Sequence, residues 1–108
     1  ELAHIVDLQD FYYGKGDTER LRQVDDEFHS VICRLSRRTV LVDTLIPLHR
    51  KTRRYRRIAM EDRQRSAKTM KEHRAMYEAI ISGNAELAME LTTQHISNAK
   101  NHMMKEVN

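Results

Sequence analysis

The sequence predicts an all-α protein, and three observations carry this prediction. The chain of 108 residues contains only three glycines and one proline, so residues that break helices are rare. Apolar residues recur three and four positions apart in several segments, as they do on one face of a helix. Strand signals, such as alternating β-branched runs and Asn-Gly or Asp-Gly turns, are absent. Helices joined by short turns favour an antiparallel bundle, in which inward-facing side chains build a central metal or ligand cavity.

The first two predicted helices are separated by the glycines of "YYGKGD". The first helix is predicted over residues 2–13, and the second runs from a cap at Asp17 or Thr18 to about Leu35. The apolar stripes of these two helices are Leu2, Ile5, Val6, Leu8 and Phe11, and then Leu21, Val24, Phe28, Val31, Ile32 and Leu35.

Three more helices are predicted in the rest of the chain. One runs from about Thr39 toward Asp62, and Pro47 is expected to kink or split it. The next covers about 67–82 behind a cap at Ser66, and Gly83 ends it. The last runs from a cap at Asn84 to about Glu106. The apolar stripes of these last two helices are Met70, Met76, Tyr77, Ile80 and Ile81, and then Leu87, Leu91, Ile96, Ala99 and Met103.

The composition is typical of a soluble globular domain, with 40% hydrophobic and 32% charged residues. No apolar run approaches the ~20 residues that a membrane span needs, so no membrane association is expected. Cys33 is the only cysteine, which excludes an intrachain disulfide and fits a reducing, cytoplasmic location. The net charge of +3 comes largely from the basic run at residues 50–57. This run is interpreted as a solvated helix face, with phosphate binding as the alternative.

Four polar residues lie on the predicted apolar faces. Asp25 and His29 are four positions apart, so they project from one side of their helix and can chelate one cation. His73 and His95 lie on the apolar sides of the last two helices. A histidine in such a position is more often a hydrogen-bonded core residue than a metal ligand. From the residues alone, a metal site and a set of paired core side chains therefore both remain open.

A metal-dependent hydrolase is the other chemical alternative, because an open metal site can activate water. The sequence offers no inward carboxylate as its general base, since Glu27 and Glu72 are placed off the ligand faces. The HExxH motif, a nucleophile elbow and a glycine-rich phosphate loop are also absent. The protein is therefore not expected to be an enzyme.

Two stretches of the chain resemble a known family. "VDDEFHSVICRLSRRTVL" is similar to a pattern of Asp-x-x-Phe-His followed by Asn-Pro-x-Leu, although Arg38-Thr39 replaces Asn-Pro. "KEHRAMYEAIISGNAELAMELTTQHI" is similar to Glu-His, then Ala-Ile-x-x-Gly-Asp, then His, with Gly83-Asn84 for Gly-Asp. Together they resemble the FCD domain, the C-terminal ligand-binding domain of FadR-type regulators in the GntR superfamily of bacterial transcription factors.

The resemblance implies a single effector-binding domain over residues 1–108. It also implies that a winged helix-turn-helix domain and the first bundle helix precede this chain in the parent protein. DNA binding would then belong to that N-terminal domain, and a homodimer is expected.

The resemblance also implies a metal in the bundle centre, with ligands at Asp25, His29, His73 and His95. Three imidazoles and one carboxylate suit a divalent transition metal, with zinc favoured over nickel, cobalt, iron or manganese. A carboxylate-bearing metabolite would bind the metal, and arginines would clamp its far end. The candidate arginines are Arg34, Arg54 and Arg57. A metal-free helical interaction module is the main alternative.

Overall fold

The computed structural model describes residues 2–36 and 53–107, and nearly all of these residues are helical. The described helices are α1 (Leu2–Lys15), α2 (Thr18–Ser36), α3 (Arg53–Glu61), α4 (Arg63–Ile81) and α5 (Ala85–Val107). No strand occurs in the described ranges, so the all-α prediction is confirmed. The predicted helix toward Asp62 corresponds to α3 at its end, whereas its first part and the kink at Pro47 lie outside the described residues. The chain divides into a first unit, Glu1–Asp62, and a second unit, Arg63–Asn108.

In the first unit, α1 and α3 both pack against α2. Gly16 joins α1 to α2 with a φ of 69°, a left-handed conformation that glycine adopts without steric cost. Asp17 then caps α2, because its Oδ1 accepts a hydrogen bond from the Arg20 backbone N–H at 3.1 Å. This bond, with a second from the Arg20 guanidinium, holds the pKa of the Asp17 carboxyl below its usual range. The predicted cap is therefore confirmed.

The apolar stripe of α2 is buried at Leu21, Val24, Phe28 and Val31, whereas Ile32 is half-buried and the Leu35 side chain lies outside the described part of the structure. The buried face of α1 is rotated from the predicted one. Among the described side chains of the first unit, the buried apolar residues are Leu2, Ile5, Val6, Leu21, Val24, Phe28, Val31, Ala59 and Met60. Phe11 was expected in this set, yet it is 55% exposed, and Gln9 is fully buried instead. Gln9 follows Ile5 by four residues and Val6 by three, so it lies at the centre of the buried face of α1.

The second unit is a hairpin of α4 and α5 joined at residues 82–84. Gly83 has a φ of 76°, and its N–H donates to the Ile80 carbonyl at 3.1 Å. The N–H of Asn84 donates to the Ala79 carbonyl at 3.0 Å, so the last carbonyls of α4 are satisfied by the turn. Asn84 also caps α5, since its Oδ1 accepts from the Leu87 backbone N–H at 3.1 Å. The stop at Gly83 and the cap at Asn84 are confirmed.

The predicted start of α4 is wrong. Helix α4 begins at Arg63, so Ser66 lies inside the first turn rather than at the cap. The Ser66 side chain is fully buried, and its hydroxyl donates to the Arg63 carbonyl at 3.3 Å. A serine that bonds the carbonyl three residues earlier is compatible with the helix interior, which is why the residue type alone misplaced the boundary.

The apolar side of α5 is less buried than its sequence pattern predicted. Leu87 is 40% exposed and Ile96 is 39% exposed, whereas the polar His95 is buried. Adjacent residues lie about 100° apart around a helix, so burying His95 turns Ile96 away.

Among the described residues, no helix is both long enough and apolar enough to cross a membrane.

The glycines give a matched pair of stability predictions. Gly83→Ala is expected to lower the free energy of unfolding by about 1–2 kcal/mol, because alanine must adopt the left-handed conformation. Gly14→Ala is expected to raise it by about 0.5–1 kcal/mol, because Gly14 lies inside α1. An added Cβ meets no atom within 4 Å at either site, so steric clash does not enter. Urea unfolding of both variants measures the two values, and effects of the same sign would contradict this account.

Candidate metal centre

The second unit brings two of the predicted ligands together. His73 of α4 is fully buried, and His95 of α5 is 6% exposed. Their Nε2 atoms lie 3.3 Å apart, and their rings meet edge to face with centroids 4.7 Å apart. Both imidazoles therefore direct the same ring nitrogen toward one point between the two helices.

A buried polar network holds His95 from its other ring nitrogen. The Nδ1 atom of His95 lies 2.6 Å from Oε1 of Glu72, a short hydrogen bond to a carboxylate. Asn98 donates its Nδ2–H to Oε2 of Glu72 at 2.8 Å. Arg65 donates to both oxygens of the same carboxylate, at 3.1 and 3.3 Å. The Glu72 carboxylate thus receives hydrogen bonds from both helices of the hairpin.

The electrostatics of this network favour an ionised Glu72. Burial by itself raises the pKa of the Glu72 carboxyl, because it penalises the charged form. The hydrogen bonds from His95, Asn98 and Arg65 act in the opposite direction and outweigh burial. Together these effects lower the pKa of Glu72 from 4.5 to about 2. The carboxylate is therefore a hydrogen-bond acceptor on both oxygens at neutral pH.

The first unit brings the other two predicted ligands together. Oδ1 of Asp25 lies 3.5 Å from Nε2 of His29, and both side chains come from α2. The Asp25 side chain is 3% exposed and that of His29 is 22% exposed. The pairing follows from the four-residue spacing, which places the two side chains one helical turn apart on one face.

An arginine of α3 also contacts this carboxylate. Nη1 of Arg56 lies 3.5 Å from Oδ2 of Asp25 and forms a shorter ion pair with Asp26. Arg22 adds a second cation to Asp26, at 3.3 Å. Asp26 itself is half-buried and paired with both arginines. The charge of Asp25 is thus balanced within its own unit.

Sequence reasoning missed the residues that support the ligands. The placement of Glu72 off the ligand faces is wrong, because Glu72 is hydrogen-bonded to His95. The reason is that a glutamate adjacent to His73 is long enough to reach across to the next helix. Two spacings signalled the network: Arg65 precedes Glu72 by seven residues, and Asn98 follows His95 by three, so each pair shares one helix face.

The structure describes the side chains of two of the three predicted effector arginines. Arg34 of α2 and Arg54 of α3 are exposed. The side chain of Arg57 lies outside the described part of the structure. Arg56, which was not among the candidates, is the arginine that contacts the Asp25 carboxylate.

The ligand-atom spacings fit metal coordination. Two atoms 3.3 Å apart, each ~2.0–2.1 Å from one ion, subtend about 107° at that ion, close to a tetrahedral angle. The 3.5 Å spacing of Asp25 and His29 corresponds to about 115° by the same arithmetic. Each unit therefore holds one pair of donor atoms with the separation of two ligands on one metal.

The comparisons with known proteins identify a family. A family model described as FCD domain matches residues 1–98, which include all four predicted ligands. No match was found among curated proteins, and none among solved structures.

Proposed function

The chain belongs to the FCD domain family, the ligand-sensing domains of GntR-family regulators, and from this premise we propose that it senses a small organic acid through a bound metal. The proposed ion is a divalent transition metal, with zinc favoured. Its proposed ligands are Asp25, His29, His73 and His95.

The observation that carries this proposal is the pairing of donor atoms within each unit. His73 and His95 direct two Nε2 atoms to a separation of 3.3 Å, and Asp25 and His29 present an oxygen and a nitrogen 3.5 Å apart. Two bidentate pairs supply four ligands, the number that zinc requires. Imidazole nitrogens with one carboxylate oxygen match zinc, nickel or cobalt better than calcium, which takes oxygen ligands.

The charge of the donor set favours an anionic effector. Three neutral imidazoles and one carboxylate leave a divalent site with a net charge of +1, which attracts a carboxylate. A divalent ion at this site supplies an electrophilic centre for an oxygen atom of the effector. The protein's own part is to orient the imidazoles and to exclude water around the fully buried His73.

Arginines are proposed to bind the far end of the effector, because a guanidinium matches a carboxylate with two parallel hydrogen bonds. The sequence candidates are Arg34, Arg54 and Arg57. Arg56 joins them on structural grounds, since its guanidinium already contacts the Asp25 carboxylate. An effector carboxylate would offer Arg56 an alternative partner close to the metal.

Regulation requires that the effector bind two conformations of the regulator unequally. The proposed output is DNA binding by a winged helix-turn-helix domain of a FadR-type parent protein. A homodimer is proposed because dimeric regulators match operators with two-fold symmetry.

Metal analysis of the purified chain tests the four-ligand site. We expect about one transition-metal ion per chain, and a marked loss of affinity in both His29→Ala and His73→Ala. His4→Ala is the matched control, because His4 is an exposed histidine of α1. Metal retained by His29→Ala but lost by His73→Ala would contradict a shared ion and restrict the site to the second unit.

A thermal-shift screen tests the effector class. Sugar acids, hydroxy acids and dicarboxylates are compared with their uncharged amides, each with zinc and with chelator. A true effector is expected to raise the melting temperature only in its carboxylate form and only with zinc, since a ligand of the native state stabilises it. A shift that persists in chelator would show that the acid does not bind through the metal.

One observation favours a second candidate, a metal-free helical interaction module. The contact of His73 with His95, and of His95 with Glu72, can satisfy these imidazoles without an ion. Chain purified without chelator that holds no transition metal, and gains no stability from added zinc, would support this candidate. Turnover of simple esters by the zinc-loaded chain would instead support a hydrolase.

A further inference from the structure

We propose that Glu72 is a positioning residue that fixes the tautomer and ring orientation of His95 for metal binding. This inference rests on the proposed metal site and adds a residue that does not touch the ion. The assignment starts from the 2.6 Å contact between Oε1 of Glu72 and Nδ1 of His95.

The contact determines which nitrogen of His95 carries the proton. Both oxygens of Glu72 already accept hydrogen bonds from Arg65, and Oε2 accepts another from Asn98, so the hydrogen between Oε1 and Nδ1 belongs to Nδ1 of His95. A neutral imidazole with a proton on Nδ1 has its lone pair on Nε2. Nε2 of His95 is the atom that faces His73 at 3.3 Å. Glu72 therefore directs the metal-binding lone pair of His95 toward the second imidazole.

The Glu72 carboxylate is itself held in place from two helices. Arg65 of α4 donates to both oxygens, and Asn98 of α5 donates to Oε2 at 2.8 Å. The carboxylate plane cannot rotate without breaking at least one of these bonds. Asn98 lies one turn after His95 on α5, so Glu72 is hydrogen-bonded to two residues on the same face of α5. His95 is thereby held in both rotation and tautomer before any ion arrives.

A purely structural ion pair between Arg65 and Glu72 would not require this arrangement. Arg65 alone supplies enough donors for both carboxylate oxygens. The shortest contact in the network is instead the one to His95, 2.6 Å against 3.1 Å for the nearest guanidinium nitrogen. Carboxylates that accept from the outer nitrogen of a metal-bound histidine increase its basicity as a ligand. Both oxygens of Glu72 are engaged, so the residue acts through His95 rather than on the ion.

The test compares Glu72→Gln with Glu78→Gln, an exposed glutamate of the same helix. Zinc affinity is measured by competition with a chelating dye, and the His95 tautomer by ¹⁵N-detected imidazole NMR of metal-free protein. Glutamine offers one acceptor oxygen to three donors, so His95 is expected to lose its preference for the Nδ1–H form. Zinc affinity is expected to fall about 10–100-fold, the range for lost outer partners of metal ligands. Glu78→Gln is expected to match the wild type in both measurements.

Glu72→Asp is the second variant, in case Glu72→Gln does not fold. Aspartate keeps the negative charge beside Arg65, but its side chain is one methylene shorter and does not reach His95. We therefore expect the same loss of the Nδ1–H preference of His95 as in Glu72→Gln. Unchanged zinc affinity with the Nδ1–H tautomer intact in a folded Glu72 variant overturns the inference, while the metal site stands. Wild-type chain that binds no zinc overturns the proposed function, and the metal role of Glu72 with it.

Discussion

His95→Ala is expected to remove most of the stabilisation that zinc gives to the folded chain. A ligand present at 100 times its Kd adds about 2.7 kcal/mol to the free energy of unfolding. Removing His95 deletes one of four proposed ligands and leaves His73 without the nitrogen that faces it at 3.3 Å. At a zinc concentration 100 times the wild-type Kd, we therefore expect zinc to raise the free energy of unfolding of the wild type by about 2.7 kcal/mol. The increase expected for His95→Ala is a small fraction of that value, and urea unfolding with and without zinc measures both.

The quantity to compare between variants is the increase in the free energy of unfolding that zinc causes, not the free energy of unfolding itself. His95 is buried and hydrogen-bonded to Glu72, so His95→Ala also destabilises the metal-free chain by leaving a half-buried carboxylate short of a donor. Subtracting the metal-free value of each variant removes this contribution. His4→Ala, on the exposed side of α1, is expected to retain the full increment. An increment in His95→Ala equal to that of the wild type would exclude His95 as a ligand.

The helices were predictable because their signals are local. Gly83 and Asn84 end one helix and begin the next through backbone geometry and one side-chain hydrogen bond, which residue type alone indicates. Ser66 shows where such reasoning fails, since serine serves equally well as a cap or inside a helix. Burial was harder to predict, because it depends on which side of a stripe the neighbouring helix covers. Phe11 was therefore misjudged as buried and Gln9 overlooked.

The contacts within each pair of candidate ligands were predictable for a different reason. Asp25 and His29 are paired by helical spacing, so their 3.5 Å contact follows from their positions in the sequence. The pairing of His73 with His95 required two predicted faces to meet, which the burial of both histidines bears out.

The supporting residues were not predictable in this way. Glu72 and Arg56 have long side chains that reach a residue of another helix. The helix face on which each residue lies therefore does not predict its contact with a candidate ligand. Side-chain direction and reach, not sequence spacing alone, decide such contacts.

The network around Glu72 is expected to make the metal-free chain sensitive to acid. The pKa of Glu72 is lowered from 4.5 to about 2 in the folded chain, so between these pH values the unfolded chain binds more protons. The stabilisation from Glu72 is therefore fully present above about pH 5 and is lost as the pH falls toward 2. A full shift of this size corresponds to about 3 kcal/mol, and solvent screening at this half-buried side chain reduces it to about 1–3 kcal/mol.

Urea unfolding of wild type and Glu72→Gln from pH 2 to 7 measures this contribution. Chelator must be present, because protons compete with metal for imidazole ligands and would add their own pH dependence. The difference between the two chains is expected to be largest above pH 5 and to shrink toward pH 2, because glutamine cannot titrate. Glu78→Gln changes an exposed carboxylate of the same helix and is expected to show no such trend. A difference that stays constant across this range would mean that the stability gained from Glu72 comes from its shape and hydrogen bonds, not from its charge.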